Sequence, residues 1–122
     1  MRDYRFYNAN PLGEIEKDCV CRAICGATNI PYKEVEEKLH LIAELHDCDW
    51  LCVCCYHKLL EDVFGLKPTL ADGQTVGDIA CQFNDRIVLI RTDGHLTHSR
   101  YGIVYDTWDC TDCIADMFWV VE

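Results

Sequence analysis

The stretch Asp18-Cys19-Val20-Cys21-Arg22-Ala23-Ile24-Cys25-Gly26-Ala27 is short and apolar, with Asp18 placed to cap a helix and Gly26 and Asn29 to stop one. It predicts a buried helix that starts at Cys19. A thiol there feels the positive end of the helix dipole, and with a neighbouring imidazolium its pKa falls from about 8.5 toward neutrality. The Cys19 N–H, which has no carbonyl one turn earlier in the helix, is also available to an oxyanion.

Upstream, residues 1–17 read as an irregular lead-in with a short edge strand: Asn8, Asn10, Pro11 and Gly13 supply turn chemistry, and Tyr4, Phe6 and Tyr7 supply apolar weight. Downstream, Pro31 to about His46 predicts a second helix, with Val35, Leu39, Ile42 and Ala43 as the stripe that packs on the first. Asp47 to Asp49 breaks the pattern. Trp50 to Phe64 resumes it as a third helix stopped by Gly65, and Thr75 followed by Asp78 is a capping-box start for a fourth that reaches about Phe83.

After Asp85 the texture changes. The segments beginning at Arg86, His95, Gly102 and Met117 are rich in β-branched and aromatic residues, with Gly and Asp between them, as antiparallel strands are. Helices first and strands after predicts one α+β domain over residues 1–122, its N-terminal helices packed as one layer on a C-terminal antiparallel sheet.

Half of the 122 residues are hydrophobic, enough for a single core. No apolar window is long enough to span a bilayer, and the polar N-terminus has no signal-like region, so the expected setting is cytoplasmic. The formal net charge of -10, from 11 Lys and Arg against 21 Asp and Glu, argues against nucleic acid as a partner. It leaves a peptide or protein, as substrate or as bound partner.

Ten cysteines in this length also suit a disulfide scaffold, but in a reducing compartment most act as small apolar residues. Cys110-Thr111-Asp112-Cys113 is half of a zinc site at most; Cys52, Cys54, Cys55 or His57 are the candidates for a second half, and none has the usual knuckle spacing. The expectation is no metal and no cofactor.

A reactive thiol needs a base. Gly94-His95 opens a strand on which His95, Thr97, Ser99 and Tyr101 alternate with Leu96, His98 and Arg100, so His95 and His98 point to opposite faces and only one of them meets Cys19. His95 is the choice, because it stands at the strand's beginning after a Gly turn; His98 reads as an exposed or hydrogen-bonded histidine. The imidazole needs an acceptor on its other nitrogen. A hairpin turning at Gly102 returns the chain to Asp106 beside it, with Asp109 in reserve. Trp108 is placed to shield the His95–Asp106 bond from water.

The run Asp18-Cys19-Val20-Cys21-Arg22-Ala23, then Gly94-His95-Leu96-Thr97, then Val104-Tyr105-Asp106-Thr107-Trp108-Asp109 resembles a group of small uncharacterised bacterial and phage proteins with a papain-like cysteine peptidase fold. The resemblance implies Cys19 as nucleophile, His95 as general base and Asp106 as orienter. Papain-like enzymes place a Gln shortly before the nucleophile, and Gly13 to Asp18 contains none; Asn8 or Asn10 of the lead-in, near Cys19 in sequence, are the candidates for the side-chain half of an oxyanion hole.

The expected activity is hydrolysis or acyl transfer at a peptide or isopeptide-type carbonyl. The alternative is a catalytically silent module on the same fold, a phage or mobile-element protein that blocks a host protein. For Cys19 the ordinary alternative is a helix thiol like Cys21 and Cys25.

Overall fold

The computed structural model describes residues 4–13, 18–50 and 52–122. Parts of the lead-in reading and one residue of the predicted third helix therefore lie outside the described residues. The described chain is an α+β domain with four α-helices and one mixed six-stranded sheet.

Helix α1 runs Cys19–Thr28 and α2 runs Tyr32–His46, each closed by a left-handed residue, Asn29 and Asp47. The apolar stripe Val35, Leu39, Ile42 and Ala43 of α2 is buried and joins Val20, Cys21, Ala23, Ile24 and Ala27 of α1 in one core. Helix α3 begins at Val53, later than predicted, because the Cys52 sulfur caps it by accepting the Cys55 N–H at 3.4 Å. It runs to Lys58 and continues as a π-helical turn over Leu59–Val63. Helix α4 spans Val76–Gln82, and its capping box is complete: Thr75 Oγ1 accepts the Asp78 N–H and the Asp78 carboxylate accepts the Thr75 N–H, both at 3.0 Å.

The strands are β1 Tyr4–Phe6, β2 Thr69–Leu70, β3 Ile87–Thr92, β4 His95–Arg100, β5 Ile103–Asp106 and β6 Ala115–Val120, in the order β1-β5-β4-β3-β6-β2. Two tight turns build the centre. Asp93-Gly94 joins β3 to β4 with Thr92 opposite His95, and Tyr101-Gly102, both at positive φ, joins β4 to β5.

Two features correct the expected architecture. The sheet is mixed, because β1 pairs parallel to β5, Tyr4 with Val104 through Phe6 with Asp106. No short hairpin ties β1 to its neighbour, so nothing compels antiparallel pairing. Nor are the helices confined to one layer: α4 lies on the face opposite α1. The run Ile87-Val88-Leu89-Ile90 is buried on both sides, Ile87 and Leu89 against the α1–α3 core and Val88 and Ile90 against Val76, Ile79 and Ala80 of α4. A strand apolar on both faces needs cover on both. Strand β2, only two residues long, carries too little pattern to read in advance.

Among the described residues no helix is long and apolar enough to cross a membrane.

Candidate active site

Cys19 is the first residue of α1, and α1 packs on the face of β4 that carries Leu96, His98 and Arg100. Leu96 enters the same core as Val20 and Ile24, the His98 ring lies over Gly26, and Arg100 Nη1 donates to the Gly26 carbonyl at 2.9 Å. His95 alternates to the other side, yet it is His95 that reaches Cys19. His95 is the first residue of β4, at the end of the strand, where the face is no longer closed by a following residue.

Cys19 and His95 line the same groove, close enough for the imidazole to act on the thiol, and His95 Nε2 lies 2.6 Å from Asp106 Oδ2. With Nε2 committed to the carboxylate, Nδ1 is the nitrogen left for the sulfur. Asp106 ends β5 and is itself fixed. Its Oδ1 accepts the Thr107 N–H at 2.7 Å, while its backbone carbonyl accepts the Tyr4 hydroxyl at 2.9 Å and the Tyr7 N–H at 2.8 Å. The Trp108 ring stands 5.0 Å from that of His95. Asp109 is engaged elsewhere, its Oδ1 accepting the Thr111 N–H at 3.0 Å and hydroxyl at 2.6 Å, which pins the turn after β5.

The electrostatics favour the charged forms of Cys19, His95 and Asp106. Burial alone would raise the Cys19 pKa; the bond to His95, the Leu96 N–H, and the charges of His95 and Arg22 outweigh it and bring the thiol below its ordinary value. Burial would neutralise His95, but its bonds to Asp106, Cys110 and Cys19 push it up to about 11. Burial likewise opposes ionisation of Asp106, and the His95 partner reverses that, holding the carboxyl below its usual range.

Asp18 does not cap α1 through its side chain. It is buried and bound by Arg22, by Asn10 Nδ2 at 3.1 Å and by the Tyr32 hydroxyl at 2.7 Å. Arg22 Nη2 also stands 3.7 Å from Asp106 Oδ1. A carboxylate beside the nucleophile in sequence is thus compensated by a guanidinium one helical turn on. The i,i+4 spacing of Asp18 and Arg22 on a helix start was the available signal for this pair.

The two asparagines are drawn into the lead-in. Asn8 Oδ1 accepts the Asn10 N–H at 3.0 Å, and Asn10, buried, binds Asp18 and accepts the Leu12 N–H at 2.9 Å. The Asn10 amide therefore ties the lead-in to Asp18, next to Cys19 in sequence. Cys19 itself opens α1, where the first N–H groups have no carbonyl one turn earlier in the helix.

His98 corrects the expectation of an exposed or hydrogen-bonded histidine. It is 1 % exposed, its Nδ1 has no partner among the described residues, and burial pushes its pKa down to about 4. It is held by rings instead, stacked on Tyr105 at 5.8 Å and edged by Tyr7 at 5.4 Å.

A groove of about 410 Å³ opens on Cys19 and His95. Cys52, Val53 and Tyr56 wall one side, and Arg91 through Leu96 the other. Arg91 is steadied by Asp116 at 3.5 Å and by His57 Nε2 at 3.2 Å, which occupies the histidine considered as a partner for cysteines. All ten cysteines are free thiols. Cys110, buried 3.8 Å from Asp106 Oδ2, lies under the site, a placement that its CxxC spacing does not announce.

The arrangement can activate a thiol, protonate a leaving group and hold an oxyanion beside an open groove. No family model, curated protein or solved structure matches this chain.

Proposed function

We propose that the protein is a small papain-like thiol hydrolase or acyltransferase acting on a peptide or isopeptide-type carbonyl. The observation that carries this reading is the 2.6 Å His95–Asp106 bond, with His95 and Cys19 lining one open groove. The Cys19 thiolate attacks the carbonyl carbon, and the oxyanion that forms is met by the N-terminal N–H of α1. His95, already protonated, gives its proton to the leaving amine as the carbon–nitrogen bond breaks, leaving a thioester on Cys19. Water then attacks the thioester; His95 accepts its proton, the acid departs and the thiolate returns.

Mass-spectrometric trapping of an acyl-Cys19 adduct from peptide, isopeptide and thioester substrates tests this, alongside turnover in Cys19→Ala. The expected outcome is an adduct on Cys19 and no turnover in the folded variant. Turnover that persists in Cys19→Ala would sink the assignment.

One observation favours the second reading, a silent binding module: Leu41 and Leu45, one turn apart on α2, are 58 % and 71 % exposed. Under that reading Cys19→Ala binds a protein partner as well as the parent does, and Leu45→Asp does not.

A further inference from the structure

Three thiols meet where α2 gives way to α3. Cys48 follows the left-handed Asp47 that closes α2, its N–H bonded to the Ala43 carbonyl at 3.0 Å. Cys52 is the N-cap of α3, and Cys54 lies in the first turn of that helix. The three sulfurs all lie within 4.8 Å of one another. A tetrahedral zinc with Zn–S bonds of about 2.3 Å holds its sulfurs about 3.8 Å apart, so the cluster needs only a small contraction to close on an ion.

We propose that Cys48, Cys52 and Cys54 form a zinc site on the wall of the Cys19 groove. Thiolate sulfur is the donor that selects zinc among the divalent metals available to such a site. On binding, each thiol releases its proton to solvent and three Zn–S bonds form; water takes the fourth position, on the side of the exposed Cys54. Cys55 stays out, buried with its sulfur 3.2 Å from the Leu39 carbonyl. Because Cys52 also lines the groove, the ion fixes the wall that Cys52 and Val53 present to Cys19.

A second cluster, His95, Asp106 and Cys110, has its ligand atoms equally close, and zinc there would sit on the reactive pair. Zinc titration of the reduced full chain, read by native mass spectrometry and repeated with cobalt, separates the two. The expected result is one zinc per chain, tighter as pH rises, with thiolate-to-cobalt charge-transfer bands. Cys52→Ser and Cys54→Ser each weaken binding by at least about 100-fold, the upper end of what losing even an outer-shell partner costs. Cys81→Ser and His95→Ala bind as the parent does. Serine keeps the N-cap at position 52, and Cys54 is exposed, so both variants retain the fold, which far-UV circular dichroism checks. Absence of stoichiometric zinc, binding indifferent to the two serines, or binding lost in His95→Ala would each overturn the proposal.

Discussion

Arg22 Nη2 lies 3.7 Å from Asp106 Oδ1, which ties the helix that presents the thiol to the carboxylate that orients the imidazole. Arg22 is 5 % exposed and also pairs with the buried Asp18, so one guanidinium balances two carboxylates inside the fold. Removing it strips the guanidinium from Asp18 and leaves Asp106 to His95. Arg22→Met is expected to cost about 3–5 kcal/mol in urea unfolding, the range for breaking one side of a buried pair. Pairing it with Asp18→Asn recovers part of that loss, and a single variant within about 1 kcal/mol of the parent would contradict the bridge.

The ion pair predicts the pH course of Cys19 alkylation. With the thiol held below its ordinary value and His95 raised to about 11, a larger share of Cys19 is thiolate at neutral pH than of an ordinary thiol, beside a protonated imidazole. The Cys19 alkylation rate therefore rises at lower pH than that of the other thiols. In His95→Ala the thiol loses its hydrogen bond and counter-charge while burial remains, so the rate at neutral pH drops and rises with pH beyond the ordinary thiol value of about 8.5. Site-resolved mass spectrometry of alkylated peptides measures both. Identical profiles would show that no pair forms.

Much of this site was legible because local chemistry wrote it. The start of α1 at Cys19, the Thr75–Asp78 capping box and the turn at Gly94 each rest on residues within a few positions of one another. The twofold period of a strand separated His95 from His98, and the end position of His95 decided between them. What escaped depends on closeness across the fold. That is so of the parallel pairing of β1 with β5, Tyr4 against Val104; Cys110 beside Asp106 and Cys48 beside Cys52 and Cys54 are near in sequence, but Cys110, Cys48 and Cys52 stand in irregular segments where no helical or strand period sets which way a side chain faces. The second helical layer was half visible in Ile87-Val88-Leu89-Ile90, four consecutive apolar residues that demand cover on both faces.

His98 should make the fold acid-sensitive. Its folded pKa is depressed to about 4 from an ordinary 6.5, so as pH falls through that interval the unfolded chain takes up a proton that the folded chain refuses. Stability contributed by the neutral ring is full above about 6.5 and declines toward pH 4, by about 3 kcal/mol over the interval. His98→Gln has no such proton, and its unfolding free energy should have a shallower slope across pH 4 to 6.5. Parallel slopes for parent and variant would show that His98 titrates normally.

The same ring explains why position 26 is glycine. A Cβ on Gly26 would stand 2.2 Å from His98 Cε1 and 2.4 Å from Nε2, on a ring already packed against Tyr7 and Tyr105. The Arg100 guanidinium, bound to the Gly26 carbonyl, further limits how far α1 can lift off β4. Gly26→Ala ordinarily gains about 1 kcal/mol of helix propensity, but overpacking costs about 1–3 kcal/mol and more where the neighbour cannot yield. The net expectation is destabilisation. His98→Ala alone also destabilises, by opening a cavity, whereas the double variant lets the new methyl occupy part of that space. A double-mutant cycle in urea should therefore give a coupling of at least about 1 kcal/mol in favour of the double variant. Additive effects would mean that α1 and β4 are not in contact at this point, and the placement of Cys19 over the end of β4 would lose its support.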